Sequence, residues 1–212
     1  MQKLLTATAI AVSTASAEMK PGACPVRDQN KAMESFKPFS MAGLWYEYVW
    51  DTSFRAGIEY DCSTWIVLSD EEDNGPGKYQ IYNNMVFKPE EEDGESISGA
   101  FIKFPFQWDA PTEAGQKARG TFRRQDEADE VQSKPELDMQ FIDTDYHTYV
   151  VGSTCHEEGD QHEESFFVLT REKSPPMYMK RRARNALLAL GLEPESMEKG
   201  PLVKCWGKDI IM

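Results

Sequence analysis

Closely spaced cysteine pairs, long apolar runs and flexible linkers are all missing from this chain of 212 residues, and each absence removes a class of protein. Zinc sites usually bring a Cys-x-x-Cys pair, whereas Cys24, Cys62, Cys155 and Cys205 lie far apart. No stretch reaches the roughly 20 apolar residues that a membrane span needs. No Gly-, Ser- or Pro-rich linker divides the chain, which favours a single domain. Basic residues are scarce: 23 Lys and Arg stand against 36 Asp and Glu, a net charge of −13. Such a chain repels nucleic acid and anionic membrane surfaces. Histidine is scarcer still, and His147, His156 and His162 form no metal-binding motif. The acidic turn Asp70-Glu71-Glu72-Asp73-Asn74 lacks the alternating ligands and closing glutamate of a calcium loop. Neither a metal nor a cofactor is expected. There is no Asn-x-Ser/Thr acceptor, so N-glycosylation is not expected either.

What is present begins with an export signal. Lys3 gives a basic start, Leu4 to Val12 is mostly apolar, and Ala15-Ser16-Ala17 supplies the small residues of a cleavage site. Residues 1–17 are expected to be a signal peptide, cleaved to leave Glu18 first, with 18–212 as the mature domain. An exported chain with four separated cysteines points to two disulfides, for which sequence alone permits three pairings. The composition is 40% hydrophobic and 11% aromatic, enough for a sizeable core and too apolar for disorder.

Residues 18–42 read as irregular, with Pro21, Pro25 and Pro38 interrupting them. Eight β-rich runs follow: Trp45–Val49, Thr64–Leu68, Lys78–Phe87, Ser96–Phe104, Ala118–Arg123, Leu137–Ile142, Thr148–Thr154 and Ser165–Thr170. One helix is expected over 175–190, capped by Ser174, with Pro175 in its first turn and Gly191 at its end. Met179, Ala183, Ala186, Leu187 and Leu190 make its apolar stripe, while Lys180, Arg181, Arg182 and Arg184 mostly lie off it. That basic face is either solvated or a contact for a partner protein. Pro201 to Trp206 reads as a last short strand. Consecutive strands without intervening helices predict an all-β fold, and eight of them suit an antiparallel up-and-down barrel with the helix packed outside.

Three motifs then make the reading specific. Gly43-Leu44-Trp45-Tyr46-Glu47 resembles the Gly-x-Trp signature on the first strand of lipocalins. Thr144-Asp145-Tyr146 resembles their Thr-Asp-Tyr signature between strands six and seven. Arg171 matches the arginine that closes strand eight. In order and spacing the chain is similar to the lipocalin family, nearest the apolipoprotein D-like and bacterial outer-membrane branch. That resemblance implies disulfides Cys24–Cys155 and Cys62–Cys205, and a structural role for Trp45 and Arg171 stacked at the closed end. It departs from the branch in its long acidic loops at 89–95, 125–136 and 156–164. No cysteine directly follows the signal, which argues against a lipid anchor.

The resemblance also implies a ligand cup. Counting by alternation from Arg171 turns Leu169 and Phe167 inward, and counting from Tyr146 does the same for Thr148, Val150 and Gly152. The family pattern around Gly77–Asn83 puts Ile81, Asn83 and Met85 inside. Trp65, Val67, Met139 and Phe141 complete the wall. This set suits a small hydrophobic ligand, with the small Gly152 and Thr148 leaving open space. Acidic residues Glu90–Asp93, Asp126–Glu130 and Glu157–Glu164 are expected around the mouth, where they would disfavour anionic fatty acids. The function implied is non-catalytic carriage or scavenging of a lipid, retinoid, sterol or pigment. The alternatives are an accessory subunit acting through the barrel exterior and the helix, and a lipocalin-fold enzyme. An isomerase of that fold would need a free cysteine, and each cysteine here has a disulfide role.

Overall fold

Strands with alternate apolar residues can bury one face by curling over it, and here the sheet curls until its two edges meet. The computed structural model describes residues 19–27, 36–50, 60–68, 78–87, 91–92, 95–96, 101–109, 118–125, 136–194, 197–202 and 205. In chain order the strands are β1 (Lys20–Pro21), β2 (Gly43–Trp50), β3 (Tyr60–Leu68), β4 (Lys78–Phe87), β5 (Glu91–Glu92) and β6 (Glu95–Ser96). They continue as β7 (Phe101–Asp109), β8 (Arg119–Arg124), β9 (Glu136–Thr144), β10 (Tyr149–Glu158), β11 (Gln161–Thr170) and, after helix α1 (Met177–Ala189), β12 (Glu198–Lys199). Strands β2, β3, β4, β7, β8, β9, β10 and β11 are antiparallel neighbours in that order, and β11 pairs back onto β2. The result is a closed eight-stranded barrel. The short strands β1 and β12 add to its outside, on β11 and β2, and β5 and β6 form a separate ribbon between β4 and β7.

The strand count read from the sequence holds, with two shifts. The fourth barrel strand runs Phe101–Asp109, later than the expected Ser96–Phe104. Pro105 sits inside the strand, next to Phe106, where the β8 ladder ends. A residue without an N–H is tolerated at such a margin. The last described strand is Glu198–Lys199, and Gly200 N donates to Tyr48 O at 2.8 Å; of the expected Pro201–Trp206 run, Pro201, Leu202 and Cys205 are not strand, and the rest lies outside the described residues.

The helix lies on the expected stripe, with Met179, Ala183 and Leu187 buried against Tyr149, Val151 and Val168 on the outer wall. It ends at Gly191, where Leu192 N donates to Leu187 O. Its start differs from expectation. Pro176, not Ser174, precedes the first turn, in extended backbone (φ −66°, ψ 156°) and with no side-chain cap. Two consecutive prolines hold the chain extended, so the hydroxyl of Ser174 comes too early to reach the first free N–H groups.

Both disulfides lie on the barrel exterior. Cys24–Cys155 ties the N-terminal segment to β10, and Cys62–Cys205 ties the tail to β3. With separations of 131 and 143 residues, each restrains the unfolded chain by about 5 kcal/mol in the chain-entropy model.

Candidate functional site

The barrel is stoppered at one end by a packed motif. Trp45, fully buried, donates its indole N–H to Met41 O at 2.7 Å, within the short turn Pro38–Met41 that leads into β2. The guanidinium of Arg171 lies 3.6 Å from the Trp45 ring centroid. It also donates to the carbonyls of Leu44 (3.0 Å) and Ala42 (2.9 Å). Burial lowers the Arg171 pKa to about 10. Phe36 stacks on Phe141 (5.5 Å) and Tyr146 (5.9 Å), closing the same end from below.

Next to this plug the Thr144-Asp145-Tyr146 turn is self-bonded. Asp145 accepts from the N–H groups of His147 (3.1 Å), Thr148 (2.7 Å) and Tyr149 (3.2 Å). Burial pushes its carboxyl up, but these bonds and that from the Thr148 hydroxyl outweigh it, so its pKa falls below the ordinary value. Tyr149 is pushed up, first by burial and then by its hydrogen bond to Asp143.

Above the plug the interior is aromatic. Trp65 stacks on Phe122 (5.8 Å) and tilts against Phe167 (5.1 Å), and Phe122 stacks on Phe106 at 4.4 Å. Trp108 meets Phe141 edge-on at 5.0 Å. Of the expected cup residues, Trp65, Val67, Ile81, Met139, Phe141, Val150, Phe167 and Leu169 all belong to this one buried cluster. Asn83 is buried opposite Trp65 on the ladder, and Met85 is buried with Trp50 and Tyr60 in a separate cluster nearer the mouth.

Two expectations about the cup are corrected by the geometry. Thr148 is not on the wall: β10 starts at Tyr149, and the Thr148 hydroxyl donates to Asp145. Tyr146 takes a φ of 64°, within the turn that holds Thr148 against Asp145. Gly152 leaves no open space, because the Phe167 ring lies over it. A Cβ at Gly152 would sit 2.7 Å from Phe167 Cε2.

Two further inward residues, Trp50 and Tyr60, are set by β-bulges. Along β2, Glu47 pairs with Leu169 and Trp50 with Phe167, with a register shift between the two pairs. Glu47 keeps the alternation set by Trp45, and the extra residue then turns Trp50 inward as well. On β3 a second shift between Tyr60 and Cys62 brings Tyr60 to the inner face that Ser63 already shares with Trp65. Glu47 is 1% exposed, and its Oε2 accepts from Ser63 Oγ at 2.6 Å and Trp65 Nε1 at 3.1 Å. Asn83 Nδ2 donates to Ser63 Oγ at 3.0 Å. The upper interior therefore carries a polar set around a carboxylate. Its signal was in the sequence, since Glu47 lies two residues after the inward Trp45.

The mouth differs from a simple acidic rim. Glu157, Glu158, Glu163 and Glu164 are strand residues, because β10 and β11 join through the two-residue turn Gly159–Asp160. Gly159, at φ 61°, opens that turn as hairpins of this length require. Glu164 is buried on the outer wall and paired with Arg27, whose pKa is raised first by that hydrogen bond. Glu157 accepts from Cys24 N at 2.7 Å. The N-terminal segment is thus a strap laid along β9–β11, with Arg27 5.4 Å above the ring of Phe166. The other acidic positions of the mouth, Glu90, Asp93 and 126–130, lie outside the described residues. His162 Nδ1 lies 2.9 Å from Gly22 O within this strap, His156 reaches Glu136 O, and His147 is exposed. No helix among the described residues is long and apolar enough to cross a membrane.

Comparison with known proteins turns on the fold. The chain is similar to insecticyanin from the tobacco hornworm Manduca sexta, with 17% identity over 92% of each chain and a TM-score of 0.63. It is similar to lobster apocrustacyanin A1, with 16% identity over 86% of this chain and 89% of that one, at a TM-score of 0.61. The fold is the lipocalin barrel. A third similar structure is the amine-binding protein of Rhodnius prolixus in its tryptamine complex, with 16% identity over 88% of this chain and 91% of that one, at a TM-score of 0.59. No protein-family model and no curated protein sequence matches the chain.

Proposed function

We propose that this chain is an extracytoplasmic lipocalin, of the apolipoprotein D-like branch, that carries or scavenges a small hydrophobic molecule in its barrel. Lipid, retinoid, sterol and pigment are the classes its wall suits. The observation that carries the reading is the continuous aromatic surface around Trp65, Phe122 and Phe167, stacked inside a barrel stoppered by Trp45 and Arg171. The similar solved structures lend support, one of them an amine-binding protein in complex with tryptamine. Two disulfides and the signal-like first 17 residues support export. On this reading, uptake requires the Phe167 ring, which rests on the bare backbone of Gly152, to rotate away and leave its place to an apolar guest. The test is native mass spectrometry of protein purified from its source, followed by organic extraction. A single species of extra mass that appears in the extract supports carriage.

One observation favours a second reading. The interior side chains are almost wholly shielded, as in an ordinary core. A barrel that stays filled would act as an accessory subunit through its exterior, including the basic face of α1. Purified protein with no extra mass, migrating as part of a larger assembly on a native gel, supports that alternative.

A further inference from the structure

The strap and helix α1 adjoin on one outer wall of the barrel, and between them they leave apolar side chains uncovered. The helix packs over Tyr149, Val151 and Val168. The strap crosses the next level of the same strands, where Arg27 N donates to Gln140 Oε1 at 3.1 Å, beside Ser153 and Phe166 on the ladder. Six large apolar or aromatic side chains are exposed among the described residues, and four belong to this wall: Val26 on the strap, and Met177, Tyr178 and Leu188 on the helix. Val26 and Met177 are both 71% exposed, so neither serves the core beneath. Apolar groups gathered on one face, rather than scattered, mark a contact surface.

The same wall is polarised. Helix α1 carries Lys180, Arg181, Arg182 and Arg184 and no acidic residue, and Arg181 and Arg182 are exposed. At the other end of the wall the β10–β11 hairpin exposes Glu157, Glu158 and Asp160, with Lys20 on β1 as the exposed cation beside them. Tyr149 beneath the helix and Glu158 at the hairpin are the two ends of β10, roughly 30 Å apart at about 3.3 Å per residue. Two copies that meet through this wall about a two-fold axis set the cations of each helix against the hairpin of the other. A face complementary to itself in this way is what a closed two-fold interface requires.

We propose that the wall carrying the strap and helix α1 binds a second copy of this chain as a two-fold dimer. Arg181 and Arg182 of each copy face Glu158 and Asp160 of the other, and Val26, Met177, Tyr178 and Leu188 form the apolar centre. The net charge of −13 sets copy against copy at long range, so the paired opposite charges restrict self-association to this wall. An anionic lipid surface is the less suited occupant, because the acidic hairpin on the same wall and the net charge both oppose it. The assignment is independent of what the cup holds.

Sedimentation equilibrium of the full folded chain tests it. The wild type is expected to form a dimer of twice the chain mass, with a Kd on the order of 10 μM or tighter. Arg181→Glu with Arg182→Glu weakens it by at least about tenfold, and so does Glu158→Lys with Asp160→Lys, because like charges then face each other. An equimolar mixture of these two variants restores the dimer, since every facing pair is again of opposite sign. All four substituted residues are exposed, and near-UV circular dichroism checks that each variant folds. Should either variant fail to fold, Tyr178→Ser with Leu188→Ser, which removes part of the apolar centre, is expected to weaken the dimer in its place. A monomeric wild type, a dimer indifferent to the substitutions, a mixture without rescue, or growth beyond two copies overturns the assignment. Flotation of the monomer with vesicles of about 30% phosphatidylserine overturns it too, and assigns the helix to a membrane surface.

Discussion

The ring of Phe167 covers the backbone of Gly152 across the β10–β11 ladder, where the two residues are directly paired. No side chain larger than hydrogen fits beneath the ring. Gly152→Ala is therefore expected to destabilise the barrel by about 1–3 kcal/mol, as overpacking does. Combining it with Phe167→Leu should recover part of the loss, because the two sites share one space. Chemical denaturation of the two single variants and the double variant measures the coupling.

The Trp45–Arg171 plug makes a related prediction at the closed end. Arg171→Lys cannot hold the Leu44 and Ala42 carbonyls and cover the Trp45 ring at once. A loss of about 2–3 kcal/mol is expected, of which about 1–2 belongs to the cation–π contact. Thermal unfolding of Arg171→Lys beside Arg171→Met reads both parts.

Asp145 predicts an acid dependence. Its folded pKa lies below its unfolded value, so its stabilisation is present above the ordinary aspartate range and is lost as pH falls through the depressed folded pKa. Asp145→Asn, which keeps the shape but not the charge, should be less stable at neutral pH by about 1–2 kcal/mol. The difference from wild type should shrink as the solution is acidified. Denaturant midpoints across the acidic range test it, and a gap that widens toward low pH would contradict it.

Phe166 faces away from the cup but is buried at 2% exposure beneath the strap. Replacing it by Ser is expected to cost about 3–5 kcal/mol of stability while leaving ligand affinity unchanged below the melting range. Affinity that tracks the stability loss would place Phe166 in the binding wall instead.

These contrasts show what the residue order made legible and what it concealed. The eight strands, the plug of Trp45 and Arg171, and most of the inner wall follow from alternation and three short motifs, because a barrel interior repeats with period two. The bulges between Glu47 and Trp50 and between Tyr60 and Cys62 are invisible to that count. Each shifts the period by one residue, and so the inward positions of Trp50 and Tyr60 follow only from the register, whereas Glu47 and Ser63 lie in plain alternation with Trp45 and Trp65. The strap was equally hidden. Its bonds, Arg27 with Glu164 and Gln140 with Pro25, join residues more than 100 positions apart, and no local pattern announces them. Thr148 lies off the wall for a local reason, its hydroxyl bond to Asp145 in the turn before β10.

The central claim, an interior that opens to an apolar guest, is tested most directly by titrating folded, delipidated protein with an apolar quencher of tryptophan fluorescence. Trp65 lies on the Phe167 ring, so a guest that displaces the ring changes the emission of Trp65. The account predicts saturable one-to-one quenching, weakened by at least about 100-fold in Phe167→Asp, since a dry, unpaired carboxylate against an apolar guest costs several kcal/mol. Near-UV circular dichroism confirms that the variant is folded. Quenching that never saturates in the wild type, or that Phe167→Asp leaves untouched in folded protein, would contradict it.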